Sequence, residues 1–135
     1  MTASSIVAGE VHDNRMSRRG SIAWYEYEWT SHSTTGVIDA SLGYINGIVV
    51  AVETNPDGTA APTNLYDLKV QDDWDYDIMG GALTDRSETA VERAYPSVVG
   101  SGTKIGFQPP VAGTLTLVGA DCGNSTKGKI RIFVK

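Results

Sequence analysis

Residues 44–79, YINGIVVAVETNPDGTAAPTNLYDLKVQDDWDYDIM, constrain this chain more than any other stretch. An apolar strand, a turn-rich loop, a second strand and an acidic hairpin follow one another with little room for helix. Ile48 to Val52 is unbroken apolar sequence, as in a central strand buried on both sides. Gly43 and Gly47 sit in the same strand and mark a bulge or a close strand approach. Asn55-Pro56-Asp57-Gly58 is a turn, because proline presets φ and Asp-Gly accepts positive φ. Thr59 and Pro62 extend it into a loop over 55–63. In 65–72, Tyr66, Leu68 and Val70 alternate with Asp67, Lys69 and Gln71, which predicts a half-buried strand.

The rest of the chain repeats this grammar. Residues 21–30 place Ala23, Tyr25, Tyr27 and Trp29 on one face, expected to be core, and Ile22, Trp24, Glu26, Glu28 and Thr30 on a wetter one. Residues 31–40 look like a polar turn. Residues 113–119 and 129–135 both alternate and suggest a closing hairpin, with Ile130, Ile132 and Val134 on one side and Arg131 and Phe133 on the other. Short extended pieces are expected at 97–99 and 104–107. Residues 80–94 are the best helical candidate, yet they open with two glycines, so a loop with at most a brief helix is expected. The count is seven or eight strands separated by turns. The predicted fold is all-β: a single-domain antiparallel β-sandwich, jelly-roll-like, over 21–135, with an extended N-terminal arm over 1–20. A short strand near 5–11 is expected within that arm, ahead of Arg15, Arg18 and Arg19.

A length of 135 residues is enough for one domain with a real core. Cys122 is the only cysteine, which excludes an intrachain disulfide and a multi-cysteine zinc site. The N-terminal residues lack the basic start and apolar core of a secretory signal, and no apolar run approaches the roughly 20 residues of a membrane span. Synthesis in the cytoplasm and no membrane partner are therefore expected.

The net charge of −5 is unevenly spread. Residues 53–92 hold ten acids against two bases, and 94–135 hold one acid against five bases. That layout argues against nucleic acid as a partner and suits complementary faces in an assembly, against the plainer reading of a solvated acidic loop system.

Reactive chemistry is hard to find. His12 and His32 have no ligand-spaced neighbours and read as surface histidines. No motif brings serine, histidine and aspartate together, and 100–104 lack phosphate-loop spacing. Glu26, Glu28, Glu53 and Asp73 are the only candidates for a carboxylate pair. Asp73, Asp75 and Asp77 are expected along one side of an extended segment, opposite Trp74 and Tyr76. A solvated acidic face fits this segment better than a calcium site, because the glycine and closing glutamate of a calcium loop are missing. No catalytic residue, metal or cofactor is expected, and the protein is read as a non-enzyme.

Three pieces in order, PDGTAAPTNLYDLKV at 56–70, GALTDRSETAVE at 81–92 and GTLTLVGADCGNSTKGKIRIFVK at 113–135, resemble a family of small virion proteins of tailed bacteriophages. The likeness covers about two-thirds of the chain and lies in order and spacing, not in a reactive motif. The turn DDWDYD is richer in aromatics than the family pattern, and residues 1–20 have no counterpart in it. The resemblance implies a capsid decoration (cement) protein: a β-sandwich without cofactor on the capsid surface, bound to the major capsid protein as a homo-oligomer, most naturally a trimer. Partner contacts are then expected from Arg15, Arg18 and Arg19 in the arm and from Asn55, Pro56, Asp57, Thr59 and Pro62 in the loop. A tail or baseplate module and a carbohydrate-binding sandwich using Trp24, Trp29 or Trp74 are the alternatives.

Overall fold

A computed structural model describes residues 10–19, 22–100 and 103–135, with side chains for 22–98 and 105–135. Its described residues form nine strands and no helix: β1 (Glu10–Arg19), β2 (Ile22–Thr30), β3 (Ile38–Pro56), β4 (Asp67–Gln71), β5 (Glu92–Ala94), β6 (Ser97–Gly100), β7 (Thr103–Gly106), β8 (Pro110–Ala120) and β9 (Lys127–Val134). Seven make one antiparallel sheet in the order β1-β2-β9-β3-β8-β4, with β5 also on β3. The all-β antiparallel architecture is as the alternation predicts.

The sheet is organised by β3, which is 19 residues long. Its first half, Ile38 to Ile48, pairs with β8. Its second half, Val49 to Pro56, pairs with β9, while Val52 to Thr54 also face β5. The handover falls at Gly47, whose φ is +147° and whose added Cβ would lie 3.2 Å from both the Lys135 carbonyl oxygen and Val134 Cβ. Only glycine lets the end of β9 come this close, and Ile48 and Lys135 exchange two backbone hydrogen bonds there. Gly43 follows a register shift after Ser41 and has φ +79°, so both expectations for these glycines hold.

The two halves bury a single core. Ala23, Tyr27 and Trp29 of β2 and Ile130, Ile132 and Val134 of β9 join Leu68 and Val70 of β4 and Leu115 and Leu117 of β8. Trp29 meets Tyr66 across it with ring centroids 5.8 Å apart. Alternation correctly placed Tyr66, Leu68 and Val70 inward. On β2 the pattern is broader: Tyr25 is only partly buried, whereas Glu26 and Thr30 are buried too.

Of three further expectations, two are corrected and one holds. First, 113–119 and 129–135 form strands but no hairpin, because β3 lies between β8 and β9. Their connection is an arch, held where Ser31 Oγ donates to the Gly123 carbonyl and accepts from the Thr126 amide. Second, 80–91 are loop without helix, as expected, and Glu92–Ala94 form the short strand β5. Gly80, Gly81 and Asp85 all have positive φ, which ends any helical run. Together with Ile78, this segment covers the edge of β4: Leu68 N–H donates to Leu83 O, Arg86 N–H to Tyr66 O and Ile78 N–H to Val70 O. An otherwise open sheet edge is thereby closed. Third, Glu10 to Arg19 continue as an edge strand on β2, where a loose arm was expected after residue 11. The strand expected near 5–11 lies mostly outside the described residues. The ribbon β6–β7 pairs only with itself.

Candidate interaction surface

Pairing register converts the outward residues of β2, β9, β3 and β5 into cross-strand rows. Trp24, Phe133 and Ala51 make one row; Glu26, Arg131, Glu53 and Arg93 make the next; Glu28, Lys129 and Asn55 make a third. The middle row alternates in sign and is knitted by ion pairs. Arg131 Nε reaches Glu26 Oε1 at 2.6 Å, and Arg93 reaches Glu53 Oε2 through Nη2 at 2.7 Å and Nε at 3.1 Å. Glu53 holds the Arg93 guanidinium above its ordinary pKa. These pairings engage two of the carboxylates considered for catalysis, Glu26 and Glu53, with cations.

Beyond this row the face turns apolar. A register shift between Val49 and Ala51 leaves Val50 as the extra residue of a bulge. Val50 and Ala51, together with Ile22, Arg93, Tyr95, Gln108 and Phe133, line a shallow depression of ≈ 340 Å³. Tyr95 is 61% exposed and Phe107, on its rim beside Val50, 47%. Trp24 packs against Phe133 with centroids 6.0 Å apart and the rings tilted by 39°, and the Arg93 guanidinium lies 5.5 Å from the Phe133 ring centroid. Tyr95, Phe107, Val50 and Arg93 were not singled out from the sequence. The available signal was an aromatic beside proline in segments without alternation, Tyr95-Pro96 and Phe107-Gln108-Pro109.

The expected partner residues lie elsewhere. Asn55 and Pro56 are the last residues of β3, opposite Lys129 and Gly128, and not loop. Pro56 and Pro62 are buried, so Asn55, Asp57 and Thr59 are what this corner offers to solvent. Asp57 Oδ2 accepts from the Ala60 amide at 2.7 Å and the Thr59 amide at 3.0 Å. Those two bonds hold the carboxyl below the usual carboxylate range, with Lys127 and Lys129 adding to the effect. Glu28, Asn55, Asp57, Lys127 and Lys129 border one groove. Arg15, Arg18 and Arg19 lie on β1, with backbones opposite Glu26, Ala23 and Ile22.

The acidic segment is a tight turn and not an extended row. Asp72 Oδ1 accepts from the Trp74 and Tyr76 amides at 2.9 and 3.0 Å, and Asp75 adopts φ +60°. Asp77 points back to accept from the Met79 and Gly81 amides. With Asp72 and Asp77 occupied in this way, the described residues contain no group of three acids, histidines or cysteines arranged for a metal. Trp74 projects from the turn, 87% exposed, beside Tyr76 at 54%. Trp29 by contrast is fully buried, which removes it as a sugar-stacking residue. His32 organises its own turn, Nδ1 accepting from the Thr34 and Thr35 amides.

No family model, curated protein or solved structure matches the chain.

Proposed function

We propose that the chain is a structural protein of a tailed-bacteriophage virion, a decoration or cement protein that binds the outer capsid surface and stabilises the shell. The observation that carries this reading is exposed aromatic surface on a domain whose core is already complete: Tyr95, Phe107, Trp74 and Tyr76 stand outside a closed cluster. Aromatics held out on a rigid β scaffold are the usual anchors of protein–protein contacts. The order and spacing shared with small virion proteins supports the same reading.

In this role the protein is made in the host cytoplasm and joins the major capsid protein on the particle as a homo-oligomer, a trimer where it sits on a threefold axis. Asn55, Asp57 and Thr59, with Arg15, Arg18 and Arg19, supply shell contacts. Bound copies stabilise the closed shell by about RT ln(1 + [L]/Kd) per site. Particles with and without the protein are challenged by heat or osmotic shock; equal survival defeats the proposal. Copy number separates decoration, at hundreds per particle, from a tail or baseplate site, at few.

A carbohydrate-binding role is the second reading, favoured by the exposure of Trp74. Glycan-array binding that Trp74→Ala abolishes supports it, and an array without signal removes it.

A further inference from the structure

Strand β4 is five residues long and β8 eleven, so β4 pairs only with Thr116 to Ala120 and leaves the first half of β8 uncovered on that side. The direction of each backbone group there follows from the pairing. Leu68 and Val70 turn theirs away from β8, to Leu83 and Ile78. Asp67, Lys69 and Gln71 therefore turn theirs toward β8, opposite Ala120, Val118 and Thr116. Backbone groups alternate sides along a strand, so Thr114 and Ala112 point the same way as Thr116, past the end of β4. The opposite side of β8 is taken by β3. Among the described residues, no backbone hydrogen bond reaches Ala112 or Thr114 from the β4 side. A notch of ≈ 90 Å³ lies along this edge, between Pro110 to Leu115 and the side formed by Asp72 and Asp73. An added Cβ at Gly113 would meet nothing within 4 Å, so the sheet face there is clear as well.

We propose that this notch binds an extended, lysine- or arginine-bearing segment of another protein, which adds to β8 as a strand beyond the end of β4. The N–H and C=O groups of Ala112 and Thr114 supply the pairing, since an edge with unpaired backbone groups is a template for a further strand. Farther along the same edge, β4 and the 78–86 segment already occupy this position, so only the first half of β8 is available. Backbone pairing does not select a sequence; the charge beside the notch does. Two acids and no base line it. Asp72 holds one oxygen on the Trp74 and Tyr76 amides, but Asp73 and Asp75 are exposed, and their carboxylates make no hydrogen bond or ion pair with the described residues. A cation on the incoming strand meets them, and an acidic strand is repelled. The site stands on the sheet edge alone, so it holds or fails in free solution whatever the protein does on a capsid.

The test uses the full chain and two capped synthetic peptides of about six residues, an ordinary strand length, one alternating valine with lysine and the other valine with glutamate. Hydrogen exchange is followed by NMR with and without each peptide. The lysine peptide is expected to bind, more weakly as salt rises, and to slow exchange at the Ala112 and Thr114 amides by about tenfold or more. The Val111, Gly113 and Leu115 amides, which face β3, change little. Asp73→Asn combined with Asp75→Asn weakens binding and flattens its salt dependence. Thr114→Pro removes an N–H that faces the notch and no bond to β3, so the chain folds, as it does with proline on the open side of an edge strand. That variant binds the lysine peptide about tenfold more weakly, the loss of one backbone hydrogen bond. Circular dichroism checks its fold, and if it does not fold, exchange in the wild-type chain decides alone. The proposal is overturned if the lysine peptide at about 1 mM leaves both amides unprotected. It is also overturned if the glutamate peptide binds as tightly, or if folded Thr114→Pro binds as well as wild type.

Discussion

The pairing of Trp29 with Gly128 allows a sharp test of the packing argument. The two residues are directly opposite on β2 and β9, both facing inward. A Cβ added at Gly128 would stand 2.5 Å from Trp29 Cζ2 and 2.8 Å from Cε2. The indole is fully buried and has Tyr66 against it, so it must shift by about an ångström to restore ordinary contact. Overpacking of that kind costs about 1–3 kcal/mol. Replacing glycine by alanine also restricts the unfolded chain, which stabilises by about 0.4–1 kcal/mol where the backbone is compatible. Steric cost wins, and Gly128→Ala is expected to lose about 1–2 kcal/mol, seen as a Tm lower by roughly 4–8 °C. Gly113→Ala is the control, because an added Cβ there meets nothing within 4 Å. It should be neutral or stabilising. Urea titrations of both variants, followed by circular dichroism, give the comparison. The reasoning is refuted if Gly128→Ala is as stable as wild type, or if Gly113→Ala loses as much.

Other perturbations follow from the same contacts. Arg131→Ala removes the 2.6 Å ion pair to the largely buried Glu26 carboxylate and should cost about 1 kcal/mol in chemical denaturation, whereas Arg93→Ala, at a more exposed pair, should cost less, about 0–1 kcal/mol. Burial pushes the Cys122 thiol from 9.0 up to about 12, with Asp121 and Asp67 adding to it, and pushes the Tyr66 phenol from 10.0 up to about 12. The folded chain therefore keeps protons that the unfolded chain releases. Stability is intact below pH 9 and falls as pH rises toward 12, and Cys122→Ala should remove the earliest part of that fall in urea midpoints measured against pH. A thiol reagent at neutral pH should label native Cys122 far more slowly than urea-unfolded protein, and equal rates would contradict its burial. Asp57 titrates below the usual range, so its turn holds at neutral pH and loosens only as acid protonates the carboxyl; Asp57→Asn should remove that acid step in hydrogen exchange at the Thr59 and Ala60 amides.

Much of this fold was legible in local pattern. A strand half-buried in a sheet shows itself every second residue, and that is why Tyr66, Leu68 and Val70 could be assigned inward, and Ile130, Ile132 and Val134 to one shared face, from the chain alone. Gly43 and Gly47 were legible for a related reason, since the φ a residue tolerates is a property of that residue, whereas the turn after Pro56 is held by Asp57 Oδ2 on the Thr59 and Ala60 amides and not by positive φ at Asp57 or Gly58. The surface was less so. Only the general expectation of complementary faces came from charge, while Tyr95 and Phe107 were overlooked because nothing in their neighbours distinguishes an exposed aromatic from a buried one.

What only the tertiary structure decided is who stands beside whom. Strands β8 and β9 each alternate as a hairpin partner would, yet β3 is long enough to pair with both and separates them. Partner choice depends on packing summed over the whole sheet, and no short window contains that sum. The acidic turn makes the same point in the opposite direction: alternation laid its carboxylates in a row, but Asp72 and Asp77 fold back onto backbone amides and leave Trp74 standing alone. Pattern determined the strands and their inward faces; long-range pairing determined the cross-strand rows, the apolar depression and the exposed aromatic turn.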